Sequence, residues 1–229
     1  MATIPQREQE LKKTINSLYN QVDEMRIVFN DYPKIPDWIK EMSKIVPLLN
    51  NPDKFTSNSI WLLMNDVNGY VFTVDDDIIY PSNYVEVMIK RFNDYSRKVI
   101  LSLYGETVTW PAINYKTGRI GIGFQDERLE DIVVDIAGVG CTMFHTDVIR
   151  PSMKDFPDQY SRDPWFAILA AKNNVPIIRI KSCHKWLKRQ YTQGPRIAQT
   201  WRRSRELTGQ RQAAFINILV PLLKKNKGK

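Results

Sequence analysis

The opening of the chain alternates between short apolar runs and one periodic stretch. Residues 2–5 and 25–29 are runs of apolar or β-favouring residues, as expected for buried strands. Between them, Leu11 and Ile15 belong to a set of apolar residues that recurs with a 3.6-residue period, which predicts a helix over residues 8–22. A strand, a helix and a strand over so short a length form a βαβ unit. We therefore expect the chain to begin with part of a parallel sheet.

The same alternation continues along the rest of the chain. Apolar runs predict further strands at residues 45–49, 70–74, 99–103, 132–136 and 175–180. Periodic stretches predict helices at residues 56–67, 83–94 and 163–173. Residues 104–128 are rich in glycine and predict a long loop or a hairpin. Residues 137–144 predict a small-residue turn into a strand, where the backbone can approach a ligand closely. The pattern as a whole predicts an α/β fold with a mostly parallel sheet flanked by helices.

Charge divides the chain into two parts. The net charge is +8, yet 13 of the 33 basic residues and only one of the 25 acidic residues follow residue 180. By formal charge the first part is −4 and the last part is +12. We predict one domain over residues 1–180 and a basic, mostly helical extension over residues 181–229. An apolar stripe at residues 211–223 predicts that the extension packs on the domain.

Several classes of protein are disfavoured by what the sequence lacks. It has no run of about 18 apolar residues of the kind that crosses a membrane. Its first residues show no basic segment followed by an apolar one, so no secretory signal is expected. The two cysteines, Cys141 and Cys183, suggest neither a disulfide framework nor a zinc site. A reducing, cytoplasmic location fits these features.

Three consecutive aspartates, Asp75, Asp76 and Asp77, follow the strand predicted at residues 70–74. Adjacent carboxylates repel one another, but a divalent cation that takes oxygen ligands would stabilise them. Alternation along a strand would direct Asp75 and Asp77 to one face and Asp76 to the other. The sequence thus predicts a D-x-D metal site at the carboxyl edge of a sheet, where open α/β sheets bind ligands. A solvated acidic turn is the simpler alternative.

The order of these elements resembles that of the GT-A glycosyltransferases related to family 2, which use nucleotide sugars. The likeness covers about residues 1–190, and a lone D-x-D would be a weak motif. Its specificity comes from six stretches in the right order, at residues 2–7, 29–31, 53–55, 74–81, 163–166 and 184–187. The resemblance implies a GT-A type, Rossmann-like, mostly parallel sheet flanked by helices, with the basic helical tail outside it.

The resemblance also implies a nucleotide-sugar donor, with UDP as the expected nucleotide, and a divalent cation. Asp77 would bind the metal directly, and Asp75 would reach the metal or the ribose through water. His184 would be a third metal ligand or a diphosphate contact, which would favour Mn²⁺ over Mg²⁺, although a surface-turn histidine would look the same. The residues implied to contact the donor are Thr3, Pro5, Arg7, Asn30, Asp31, Lys54, Asp75 and Asp76.

Direct displacement at a sugar's anomeric carbon needs a base for the acceptor hydroxyl. Asp163 lies where the family keeps its catalytic carboxylate, with Asp158 as the rival. The Asp163-Pro164 pair also predicts the N-cap and first residue of a helix. With Asp163 as base, the reaction would invert the configuration of the sugar.

The basic extension mixes cations with aromatic residues such as Trp186 and Trp201, a composition seen in nucleic-acid binders. The first choice of acceptor is therefore a hydroxymethylated pyrimidine in DNA, which the enzyme would reach by base flipping. A surface or capsular polysaccharide is the alternative acceptor. A basic nucleic-acid-binding protein without enzymatic activity, in which the aspartates are an incidental turn, is the alternative class.

Overall fold

Helices and strands largely alternate up to residue 102, as the hydrophobic pattern predicts, whereas the described residues from 105 to 145 form strands without a helix between them. The computed structural model describes residues 1–50, 57–109, 118–157, 161–190, 215 and 217–224. Its helices are α1 (Glu8–Leu18), α2 (Asp37–Lys40), α3 (Tyr84–Asp94) and α4 (Arg162–Lys172), and residues 215 and 217–224 are also helical. Its strands are β1 (Ala2–Thr3), β2 (Met25–Asn30), β3 (Ile45–Asn50), β4 (Tyr70–Val74), β5 (Ile78–Ile79), β6 (Ile100–Ser102), β7 (Gly105–Val108), β8 (Arg119–Ile122), β9 (Ile132–Val134), β10 (Ile136–Ala137), β11 (Cys141–His145), β12 (Ile177–Arg179) and β13 (Lys188–Arg189).

The predicted βαβ opening is confirmed. β1, β2 and β3 form a parallel three-stranded sheet with β2 in the centre. Leu11 and Ile15 of α1 are 0% and 1% exposed, and they join the same core cluster as Phe29 of β2. β1 and β2 can run parallel because α1, which connects them, returns the chain to the edge of the sheet where β1 began.

The second sheet is mixed, and here the prediction of a mostly parallel sheet is wrong. Its strand order is β4, β11, β6, β12, β9, and β11 runs antiparallel to both of its neighbours. Only β6 and β12 are parallel within it. The physical reason is that a parallel pair needs a crossover connection, usually a helix, and the described residues between β6 and β11 contain none. The fold is therefore mixed α/β.

Two predicted segments take a more specific form in the structure. The stretch predicted as a loop or a hairpin contains the antiparallel pair β7 and β8, and β10 pairs with the other edge of β7. The helix predicted over residues 56–67 is a 3₁₀ helix over Ser57–Met64. Its Trp61 is 2% exposed and stacks on Phe156 at a ring-centroid distance of 4.6 Å. Aromatic packing thus fixes this segment to the apolar cluster that surrounds α4.

Two apolar clusters flank the sheets and fix the end of β4 between them. The first cluster joins α1 and α3 and includes Met88 and Phe92, both fully buried. The second surrounds α4 and includes Phe144 and Phe166, also fully buried. β4 contributes to both, and the chain leaves it at Asp75. Such burial on both sides holds the carboxyl end of β4 rigidly.

In the described residues, the basic extension contacts the domain through β13 and through Phe215, among other contacts. The extension was predicted to be mostly helical, but its first part contains a strand: β13 pairs with β5, and Leu187, just before β13, is fully buried. The backbone N–H and C=O groups of β5 are available for pairing, and a short extended segment such as β13 can bind them. Further on, Phe215 is 4% exposed and meets the Trp165 ring edge-on at 5.0 Å. In the part of the chain that the structure describes, no helix is long and apolar enough to cross a membrane.

Candidate active site

The three aspartates lie in the connection between β4 and β5. Asp76 and Asp77 are turn residues, so the strand alternation expected for them is wrong. The chain turns here because β5 leaves the direction of β4 and pairs with β13 instead. As a result, the carboxylates of Asp75 and Asp76 go to different arginines. The separation of Asp76 from Asp75 therefore comes from a turn and its ion pairs.

Asp76 forms a buried ion pair with Arg7. The Arg7 Nη1 donates to Asp76 Oδ1 at 2.6 Å and lies 3.5 Å from Asp77 Oδ2. Asp76 is 2% exposed and Arg7 is 8% exposed. Burial raises the pKa of Asp76 to about 6, although the Arg7 charge acts in the opposite direction. Arg7 was predicted to contact the donor diphosphate, and in the structure it holds the aspartate turn.

Two further elements hold the backbone of this turn. The Thr14 hydroxyl of α1 is 2.9 Å from the Asp76 carbonyl oxygen and 2.8 Å from that of Ile78. On the other side, the backbone N–H of Gln190 donates to the Asp77 carbonyl at 2.8 Å, and its side chain donates to the Thr14 hydroxyl at 3.0 Å. The turn is therefore clamped between α1 and the segment that follows β13.

Asp163 is not the N-cap that the sequence predicted. Helix α4 begins one residue earlier, at Arg162, with Ser161 in the N-cap position. Asp163 is thus inside the first turn, and its Oδ1 accepts a hydrogen bond from the Val139 N–H at 3.1 Å. Burial is the main cause that raises the pKa of Asp163, while Arg162 and the Val139 N–H lower it. A raised pKa makes this carboxylate a stronger base than an exposed aspartate.

Residues 138–140, between β10 and β11, contact three parts of the site in succession. The Gly138 N–H donates to the Tyr104 carbonyl at 3.2 Å, and the Val139 N–H binds Asp163. The Gly140 carbonyl accepts from the Asp75 N–H at 3.2 Å. A Cβ on Gly140 would lie 1.9 Å from Asp75 Oδ2. The small-residue turn was predicted to let the backbone approach a ligand, and in the structure the group that approaches Gly140 is the Asp75 side chain.

Arg162 is a site residue that the sequence analysis missed. Its Nη2 donates to Asp75 Oδ1 at 3.0 Å, and its Nε lies 3.5 Å from Asp163 Oδ1. The guanidinium therefore joins the aspartate turn to the first turn of α4. The only signal in the sequence is a basic residue next to Asp163, and that signal does not show which way the side chain points.

The other predicted donor contacts occupy the ends of the first strands. Thr3 is 1% exposed, and its hydroxyl lowers the pKa of Asp76, so β1 ends beside the aspartate turn. Asn30 is buried and bonds to Ser59 and Asn50. Asp31 follows β2 on the surface, with φ of 61°. Pro5 begins the 3₁₀ turn Pro5–Arg7.

Two residues predicted from the sequence, the donor contact Lys54 and the rival base Asp158, lie outside the described residues.

His184 is exposed, and in the described part of the chain it forms no hydrogen bond or ion pair with the three aspartates. Within the described ranges, no group of three or more His, Cys, Asp and Glu side chains is close enough to hold a metal ion. Asp75 and Asp77 remain as neighbouring carboxylates: burial raises the pKa of Asp77, and the nearby charge of Asp75 raises it further. Mg²⁺ is commonly bound by one or two carboxylates, with water and substrate phosphates completing its shell. The Asp75–Asp77 pair fits that type of site.

Comparisons with known proteins add no relative to this picture. No protein-family model matches the chain, and no curated protein matches it. Function must therefore be inferred from the carboxylates and arginines at the end of β4 and from the elements that hold them.

Proposed function

We propose that the chain is a metal-dependent glycosyltransferase of GT-A type, which moves a sugar from a nucleotide sugar to an acceptor hydroxyl. The observation that carries the proposal is the meeting of two distant carboxylates at one arginine. Arg162 is 3.0 Å from Asp75 and 3.5 Å from Asp163. An acid suited to metal binding and an acid suited to base catalysis therefore share one edge of the fold. Such an edge can hold a donor diphosphate and an acceptor hydroxyl side by side.

On the donor side, Asp75 and Asp77 would hold Mn²⁺ or Mg²⁺. When bound, the cation would neutralise charge on the diphosphate and on the leaving nucleotide. Thr3 and the Asn30–Asp31 pair end two parallel strands near this point, which suits contacts to the nucleotide, with UDP as the expected one. The role of Arg7 is to fix the aspartate turn through Asp76 and Asp77.

On the acceptor side, Asp163 acts as the general base. The acceptor oxygen forms a bond to the anomeric carbon, and its proton passes to the Asp163 carboxylate. The bond from the anomeric carbon to the donor phosphate oxygen breaks, so the nucleoside diphosphate leaves. A single displacement of this kind inverts the sugar's configuration. The raised pKa of Asp163 supports this role, because a base is more effective when its pKa is closer to the working pH.

The acceptor is proposed from charge. Lys185, Lys188 and Arg189 are exposed, and the charge of Arg189 partly offsets the burial that raises the pKa of Asp77, so cations lie close to the aspartate turn. Lys181 and Lys224 are also exposed, and the other cations of the extension, at residues 191–214 and 225–229, lie outside the described residues. We propose a hydroxymethylated pyrimidine in DNA as the first acceptor and a polysaccharide as the second, with a cytoplasmic location for the DNA reaction.

The test is a transfer assay with a panel of nucleotide sugars, Mn²⁺, and either hydroxymethylated DNA or glycans. Wild type should release nucleoside diphosphate and label one acceptor. The variant Asp163→Asn should bind UDP and Mn²⁺ but lose transfer by at least about 100-fold, as removal of a general base typically does. Because the pKa of Asp163 is raised, wild-type kcat/KM should begin to fall with decreasing pH while the pH is still above about 3.9, the pKa expected for a free aspartate.

A binding assay separates the enzyme from a purely nucleic-acid-binding protein. UDP with Mn²⁺ should raise the melting temperature of an enzyme, and a lack of response to both UDP and GDP would count against glycosyl transfer. Duplex DNA should bind with an affinity that falls steeply with salt, since bound cations displace counterions. Affinity for DNA that does not change with salt would remove DNA as the acceptor.

A further inference from the structure

Arg162 occupies the first position of α4, and its side chain is 18% exposed. The guanidinium contacts two carboxylates from separate parts of the fold, Asp75 after β4 and Asp163 in its own helix. The side chains of Asp75 and Asp163 are each 36% exposed, so each keeps an open side toward solvent, although the protein atoms packed around Asp163 still remove enough water to raise its pKa. The arginine therefore lies behind two acids that remain accessible to ligands.

Electrostatics explain why a cation is needed at this point. The charges of Asp75 and Asp163 act on each other, since Asp75 contributes to raising the pKa of Asp163. Two carboxylates that share one site repel, and the repulsion grows where water is partly excluded. A guanidinium has five N–H donors in a rigid plane, so it can bond to both acids at once. A lysine ammonium is a point charge on a flexible stem and fixes no such angle.

Asp163 has only one other described anchor in the structure, the Val139 N–H at 3.1 Å. Its position therefore depends on the arginine beside it. On the other side, Asp75 is anchored through its backbone to Gly140, and Arg162 is the described partner that orients its carboxylate.

We propose that Arg162 is a positioning residue that sets the separation between the metal-binding acid Asp75 and the base Asp163. This inference rests on the proposed glycosyl transfer. Arg162 acts through the two carboxylates, which face the substrates, and its loss should affect the rate of transfer more than the binding of the donor.

The kinetic test compares Arg162→Gln and Arg162→Lys with Arg150→Gln. Arg150 is an exposed arginine that binds the Val67 carbonyl and the Asn68 side chain, away from the site. Arg162→Gln should lower kcat about 10- to 100-fold, a range typical for loss of positioning, and raise the donor KM by a smaller factor, because the backbone of Asp75 keeps its bond to Gly140. Arg162→Lys should recover little. In Arg162→Ala, added guanidinium ion should restore part of kcat, which a purely structural defect would not allow.

A crystal structure of Arg162→Gln gives a readout that needs no activity. We expect the carboxylates of Asp75 and Asp163 to move apart or to become disordered, while α4 keeps its place. Both carboxylates at their wild-type positions would overturn the inference, as would wild-type kcat in an active Arg162→Gln enzyme. An inactive wild type would instead count against the proposed transfer reaction, and the crystal structure would still decide the role of Arg162.

Discussion

Gly140 is the residue at which the site tolerates least change. A Cβ there would lie 1.9 Å from Asp75 Oδ2, far closer than atoms can approach. Gly140→Ala should therefore displace the Asp75 carboxylate and weaken Mn²⁺-dependent UDP binding by at least about 10-fold, the typical effect of disturbing a metal site's surroundings. Isothermal titration of UDP with and without Mn²⁺ measures this loss.

Gly121→Ala is the matched control for that change. A Cβ on Gly121 would meet the Tyr104 hydroxyl at 3.4 Å, an ordinary contact, so UDP affinity should stay at the wild-type value. Equal affinities for the two alanine variants would mean that Asp75 has no part in donor binding.

Asp76 should make stability depend on pH in an unusual direction. Its pKa is raised by burial to about 6, above that of the unfolded chain, so the folded protein binds the extra proton first as pH falls. The contribution of Asp76 to the free energy of unfolding therefore rises as pH falls from 7 through 6, by on the order of 1 kcal/mol by pH 5. Asp76→Asn removes this titration.

Urea unfolding of wild type and Asp76→Asn between pH 5 and pH 7 measures the effect. The stability of wild type relative to the variant should increase toward pH 5. The opposite trend would mean that the ion pair with Arg7 dominates over burial and lowers the pKa of Asp76 below its ordinary value.

Which acidic residues belong to the candidate site could be predicted better than the contacts that each of them makes. Three acids after a buried strand are visible in the sequence because their mutual repulsion calls for a partner. Which acid meets which arginine depends on how the turn after β4 folds, and Arg7 and Arg162 are far apart in the sequence. Arginine side chains are long and most are solvated, so the sequence alone does not single out these two.

Among the elements, α1 and the aspartate turn are joined by Thr14. Its hydroxyl is shared by the carbonyl oxygens of Asp76 and Ile78, and it also accepts from Gln190. Thr14→Val would keep the shape but leave these buried groups without their partner, which costs about 1–3 kcal/mol. Thr14→Ser should restore most of that stability, because the hydroxyl returns. Chemical denaturation of both variants distinguishes lost hydrogen bonds from lost packing, which would affect serine more than valine.

The hydrophobic pattern correctly predicted the arrangement of elements that are adjacent both in the sequence and in the fold. The β1–α1–β2 unit is such a case, since its periodicities and short length allow only one arrangement. The place of β11 between β4 and β6 could not be predicted, because apolar strands carry no mark of the partner they choose. β13 is only two residues long and polar, and its pairing with β5 depends on the burial of Leu187 beside it.

At the scale of the whole molecule, the helical residues 215 and 217–224 of the extension pack against the helix that carries the proposed base. Phe215 packs edge-on against Trp165, two residues after Asp163 in α4, and belongs to the same core cluster as Phe166. The basic extension is thus part of the core that holds α4, and its net charge does not describe all of its role. Loss of this packing should loosen the helix that carries Asp163.

Phe215→Ala tests that support. Truncation of a buried phenylalanine typically costs about 3–5 kcal/mol, so the variant should unfold at a clearly lower denaturant concentration. Phe215→Leu keeps most of the buried volume and should cost about 1.5 kcal/mol or less. If α4 depends on this contact, hydrogen exchange in residues 162–172 should rise in Phe215→Ala while exchange in α1 stays near that of wild type. Equal exchange in α4 of both proteins would mean that the extension rests on the domain without supporting the site, and Asp163 would then owe its position to Arg162 and Val139 alone.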